Sequence, residues 1–228
     1  MFVSALALNG FVAAMLWLAY IAIEPYLRRH WPDALISWNR LQAGRFRDPL
    51  VASHVLIGLA LRPLTVLAIT MFLGAPPRPG FVQGYLDGPG SAIGFLMGAP
   101  AVALLLNVAL LMLVVVSRML LPRVWIADVT AAILLGITAI TPGASPARML
   151  IGAMANGVAV YITLWVFRRF GFLATLAWWL TYATVGLAPL VLTEWYAGWA
   201  IAAHALPIAL AAYALWVILG SERPVANV

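Results

Sequence analysis

The chain contains no cysteine and no lysine. Without cysteine there is no disulfide, no thiolate metal site and no cysteine nucleophile. Charge of either sign is scarce: charged residues make up 9% of the 228, against roughly 25% in a soluble domain. No water-soluble surface can be covered with so little charge, so the bilayer must be the solvent. Motifs that carry chemistry are missing as well. The sequence holds no GxxxxGK[ST] loop, no GxGxxG strand–helix unit, no GxSxG elbow and no HExxH.

What is present is apolar. Hydrophobic residues make up 65% and mean hydropathy is +1.02. At about 20 residues per span the length suits roughly six to eight helices, with no room for a separate soluble domain. Seven apolar segments can be drawn, at about 3–23, 51–73, 93–116, 126–141, 148–167, 171–191 and 197–219. They are continuously apolar, not alternating, so they predict an all-α polytopic membrane bundle and not a barrel. The first segment has no basic residues before it and no small-residue cleavage pattern, and reads as a retained helix.

The net charge of +6 is carried by 13 arginines. Arg28, Arg29, Arg40, Arg45 and Arg47 fall between the first two segments. Arg118 and Arg123 lie between the third and fourth, Arg168 and Arg169 between the fifth and sixth, and Arg223 after the seventh. The opposite connections hold only Arg78 and Arg148, with Asp87 and Glu194. A basic balance can signal nucleic acid, but arginines flanking apolar spans read as topology. The positive-inside rule then puts the N-terminus outside and the C-terminus in the cytoplasm of a bacterial inner membrane. Gly74–Gly80 and Asp87–Gly90 read as an irregular external loop.

The first cytoplasmic connection is the richest in candidates. Residues 33–44 predict a short interfacial helix. Leu35, Ile36, Trp38 and Leu41 would share its lipid-facing side, and Arg40, Arg45 and Arg47 would meet the phosphates of anionic inner-leaflet lipids. Asp48-Pro49 predicts an acidic N-cap with Pro at N1 for the second span. Glu24 and Arg28 are four apart on one helix face, either an ion pair or a catalytic carboxylate with its neighbour, and Pro25 predicts a bend there.

Arg62 lies mid-span, where insertion costs roughly 2.5–3.5 kcal/mol. Asn107 and Asn156 share its expected depth. At least one of them is expected to face it, as a polar clamp or as the lining of an anion site. Asp128 is expected to cap its helix or to pair with Arg123. His30, His54 and His204 fall at different depths, which excludes a shared metal site, and no cofactor is implied. Trp31, Trp38, Trp125, Trp195 and Trp199 near span ends read as an aromatic belt.

Residues Tyr20–Pro32, with Glu24, Pro25, Tyr26, Arg28, Arg29, Trp31 and Pro32, then Leu35–Trp38 and Gly44–Val51, with Arg45, Arg47 and Asp48, carry a resemblance. This pattern resembles the C-terminal membrane region of acidobacteria-type bacterial serine/threonine protein kinases. Arg169–Ala174, Trp195–Gly198 and Tyr213 are similar to later parts of that region. Arg62 departs from the pattern. The resemblance implies association with a cytoplasmic kinase domain. It does not imply phosphotransfer by this chain, which has no lysine, no HRD and no DFG.

Three readings follow. The first is a sensor, anchor or partner module with a basic cytoplasmic loop. The second is a small-molecule transporter or channel, which requires a continuous polar cavity at Arg62, Asn107 and Asn156. The third is a membrane-embedded enzyme, which requires Glu24 within about 4 Å of a histidine or of a shared water.

Overall fold

The computed structural model describes residues 2–73, 89–121, 123–138, 145–185, 193 and 197–221. Among these residues all regular structure is helical: α1 (Phe2–His30), a 3-10 turn (Pro32–Leu35), α2 (Ile36–Gln42), α3 (Pro49–Leu73), α4 (Pro89–Leu120), α5 (Val124–Ile137), α6 (Pro146–Phe170), α7 (Phe172–Thr184) and α8 (Ala197–Ser221). The described parts of the seven apolar segments drawn from the sequence are helical except at Thr138, Gly171 and Val185.

Four helices, α3, α4, α6 and α8, are long and apolar enough to cross a membrane. This is a membrane protein. α5 and α7 have 14 and 13 described residues, about 20 Å of helix, short of a hydrocarbon core of about 30 Å. The ends of the corresponding segments, 139–141 and 186–191, lie outside the described residues.

Two helices run past their expected limits. α1 continues through Pro25 to His30, because Ile23 and Leu27, on either side of the proline, are buried in the main core. α4 opens at Pro89 and Gly90, which the turn-rich composition had placed in a loop. Proline at a helix start loses only an amide that would be unpaired anyway. The rest of that expected loop lies outside the described residues.

α7 is the axle of the bundle. Nine of its 13 residues are buried, as expected of a helix that is apolar all round. It packs on α3, α4, α6 and α8. Thr175, Thr181 and Thr184 satisfy their hydroxyls on carbonyls of their own helix, while the buried indole Nε1 of Trp178 and of Trp179 has no hydrogen-bond partner among the described residues. The sharp turn from α6 into α7 is made by Gly171 (φ 85°), and its α-carbon sits against the carbonyl of Ala34. Any side chain there would strike that oxygen.

Close approach is also set by small residues elsewhere. Gly58 of α3 presses on the Ala174 carbonyl of α7. Gly136 of α5 meets the Ala153 carbonyl of α6, and Gly157 of α6 meets the Ala132 carbonyl of α5. The spacing of four in Ala132/Gly136 and Ala153/Gly157 is the small-xxx-small pattern of membrane helix pairs. Lipid offers no hydrophobic drive between helices, so dispersion at such contacts holds them together.

The three described connections richest in arginine converge on one end of the bundle. At the end of α4, Arg118 lies 4.8 Å over the ring of Trp31, just after α1. Phe167, near the end of α6, meets Trp31 edge-on at 5.5 Å. Asp128 near the start of α5 is ion-paired with Arg168 of α6. α3 starts where α8 ends: Arg47 lies 5.6 Å over Trp216.

One change tests the α3–α7 crossing. In Gly58→Ala the new methyl would lie 2.1 Å from the Ala174 carbonyl oxygen. We expect a loss of about 1–3 kcal/mol, the usual cost of overpacking. Gly94→Ala on α4, where a methyl meets nothing within 4 Å, should be neutral or slightly stabilising. Unfolding in mixed micelles measures both.

Candidate functional site

The arginine end is built from the loop 24–49 and the ends of five long helices. Glu24 accepts from Arg28 Nε and Nη2 at 2.8 and 2.6 Å, the pairing expected of an i,i+4 couple. An exposed pair of this kind contributes only about 0.3–0.5 kcal/mol. It does, however, occupy the Glu24 carboxylate. His30 bonds instead to the Tyr26 carbonyl at 3.0 Å and stacks on the Tyr26 ring at 4.0 Å. His54 bonds to Ser37 Oγ at 2.9 Å, and His204 to the Ala200 carbonyl at 2.8 Å. Among the described residues Glu24 forms no ion pair with a histidine, and the three histidines bond elsewhere.

The expected interfacial helix exists, but it is docked on protein. Leu35 and Ser37 are buried. Trp38 packs on Phe172 at 5.0 Å, and Ser37 reaches His54 of α3. Only Ile36 and Leu41 keep part of the expected lipid-facing side. The segment is thus a plug beneath α7. Arg40 does not point to phosphates; it donates to both oxygens of Asp48 at 3.2 and 2.9 Å.

Asp48 caps α3 as its sequence predicts, its Oδ1 accepting from the Leu50 amide at 2.9 Å, with Pro49 at N1. Burial alone would raise this carboxyl. The Leu50 amide, the Arg40 guanidinium and the Val51 amide outweigh burial and hold it below the usual carboxylate value. Arg28, Arg29, Arg45 and Arg47 stay exposed. An open cleft of about 670 Å³ is lined by residues 44–49 and Tyr213. Tyr213 donates to the Phe46 carbonyl at 3.5 Å.

The midplane cluster does not form. Arg62 is half-buried, with its guanidinium 5.4 Å from the Trp178 ring and 5.0 Å from the Tyr182 ring, both on α7. Asn107 donates to the Phe172 carbonyl at 3.3 Å. Asn156 donates to the Leu135 carbonyl at 2.6 Å. α7 lies between α3 and α4, so Arg62 and Asn107 each meet α7 and not each other. Two cation–π contacts at up to about 2 kcal/mol each offset most of the insertion cost of the arginine. No acid is needed.

Asp128 corrects a second expectation. The residue before α5 is Arg123, and Asp128 sits inside the helix, buried. Its partner is Arg168 of the neighbouring α6, not Arg123. Arg118 completes this group, and neither it nor Arg168 stood out in the sequence. The available signal was an acid at the edge of an apolar run with basic connections on both sides. That signal cannot choose among the arginines. Trp195 and Tyr196 of the later motifs lie outside the described residues.

Comparison of the chain with protein-family models, with curated proteins and with solved structures finds no match.

The Asp48 geometry gives a pH dependence with a definite sign. Asn also caps helices well, so Asp48→Asn isolates the charge. The stability advantage of the wild type over Asp48→Asn should be complete above the unfolded carboxyl value of about 3.9. It should vanish as the pH falls through the lower folded value. An acid titration of unfolding midpoints for both proteins measures it; a constant difference would contradict the assignment.

Proposed function

We propose that the chain is a polytopic inner-membrane module that crosses the bilayer seven times, N-terminus outside and C-terminus in the cytoplasm. It acts as a sensor, anchor or partner module. Its arginine end is a platform for anionic inner-leaflet lipids and for a cytoplasmic signalling partner of the serine/threonine kinase type. One observation carries this reading. Nine arginines of three different connections lie at the same end of the bundle, joined through Trp31, Asp128 and Trp216. Arg148 stands at the start of α6, toward the other end. Such a one-ended distribution is what the positive-inside rule demands.

The kinase-type partner is supported by the resemblance of residues 20–51, which form the exposed and docked parts of this same surface. The transporter reading has less support, because Arg62, Asn107 and Asn156 each have another partner. Arg62 behaves as an aromatic-stacked structural cation.

The chain has no cysteine, which makes topology easy to probe. In intact cells, an impermeant maleimide should label Ala147→Cys, at the start of α6, and spare Gln42→Cys until the inner membrane is opened. Replacing Arg28, Arg29, Arg45 and Arg47 together with Gln should produce molecules of mixed orientation or weaken contact with anionic vesicles. Labelling of Gln42→Cys from outside would overturn the orientation.

A further inference from the structure

At the junction of α4, α5 and α6 two guanidinium groups lie near one acid, which is ion-paired with one of them. Asp128 is 1% exposed and ion-paired with Arg168, whose side chain is 30% exposed. Arg118 is brought to the same place through Trp31, whose ring also meets Phe167, the residue before Arg168, edge-on at 5.5 Å; there Arg168 repels it and Asp128 attracts it. One face of its guanidinium is covered by the Trp31 ring at 4.8 Å. Its Nε is buried and donates to no described residue. Two of the other three described acids near this end have arginine partners of their own. Glu24 is held by Arg28 and Asp48 by Arg40, while Asp33 is exposed on the 3-10 turn and forms no ion pair with a described residue.

The group therefore carries one uncompensated positive charge in a fixed, partly dry place. Drawing two like charges together at the rim of a bilayer is costly unless a second anion joins them. The stacked arginine presents the edge of a planar fork, which matches the oxygens of a phosphate and not a point charge. We propose that Arg118 and Arg168 bind a phosphate-bearing anion, the headgroup of an anionic phospholipid or a soluble phosphate compound, with Trp31 as its floor and Asp128 as the brake on its affinity. This does not depend on which side of the membrane the arginine end faces, so it can fail while the orientation stands, and the reverse.

The full chain in phosphatidylcholine nanodiscs gives the test. Its thermal midpoint is measured with inorganic phosphate against chloride at equal ionic strength, and separately with part of the lipid replaced by phosphatidylglycerol. A rise with phosphatidylglycerol alone identifies a lipid ligand; a rise with inorganic phosphate as well identifies soluble phosphates. In either case Arg118→Gln should weaken the response, by roughly tenfold in apparent affinity for a lost charge-assisted contact. Arg148→Gln, at the start of α6 toward the other end of the bundle, should respond as the wild type does. Asp128→Asn should strengthen the response, because it frees Arg168; a purely structural ion pair would only lower stability in every lipid alike. If Arg118→Gln does not fold, Arg118→Lys keeps the charge, loses the fork, and should still bind more weakly. No midpoint rise with either anion, or an Arg118→Gln or Arg118→Lys protein that responds as fully as the wild type, overturns the proposal.

Discussion

A guanidinium cannot give up its proton to enter lipid. In a bilayer it must reach water, an acid or an aromatic face. The arrangement of this chain follows from that constraint. Its positive charge is all arginine, and nine of the 13 arginines lie at one end of the bundle, several of them tied to whatever can hold them. Arg28 has Glu24, Arg40 has Asp48 and Arg168 has Asp128. Arg47, Arg118 and Arg62 have tryptophan faces. These ties also lock the helix ends together, so the groups that set topology set the packing at that end as well.

Above that end the bundle is held mainly by contact, with the Asn107 and Asn156 hydrogen bonds and the stacked Arg62 as its polar ties. α7 supplies a short, buried core. Gly58, Gly136 and Gly157 let backbones touch. The outward faces carry Phe11, Trp17, Leu64, Leu105, Ile133 and Trp216 exposed, which suits a hydrocarbon solvent and would suit no other. The loop 31–48 belongs to both regimes. Its Leu35, Ser37 and Trp38 close the bottom of the core, while Arg45 and Arg47 remain at the surface.

The parts legible in the sequence were those that depend on position along one helix. The seven apolar stretches, the Glu24–Arg28 couple and the Asp48-Pro49 cap are local, with partners a few residues away. The misjudged parts depend on which way a helix face turns. Depth along a span could be estimated for Arg62, Asn107 and Asn156, but rotation about the axis could not. α7 stands between the first two, and Asn156 faces α5. Likewise an acid at the start of α5 is visible, but its choice of Arg168 over Arg123 is made by the close α5–α6 pairing, which rests on Gly136 and Gly157. The amphipathic look of residues 33–44 was real. Its apolar side found protein before it found lipid.

The central claim is that the basic connections form one surface at one end. Cross-linking across that surface tests it most directly. With cysteines placed at Phe46 and Tyr213, a short bifunctional maleimide should join the two positions in native membranes, since Tyr213 reaches the Phe46 carbonyl. Cysteines at Phe46 and Gly198, at opposite ends of the bundle, should not be joined. Efficient linkage of the second pair and none of the first would contradict the account.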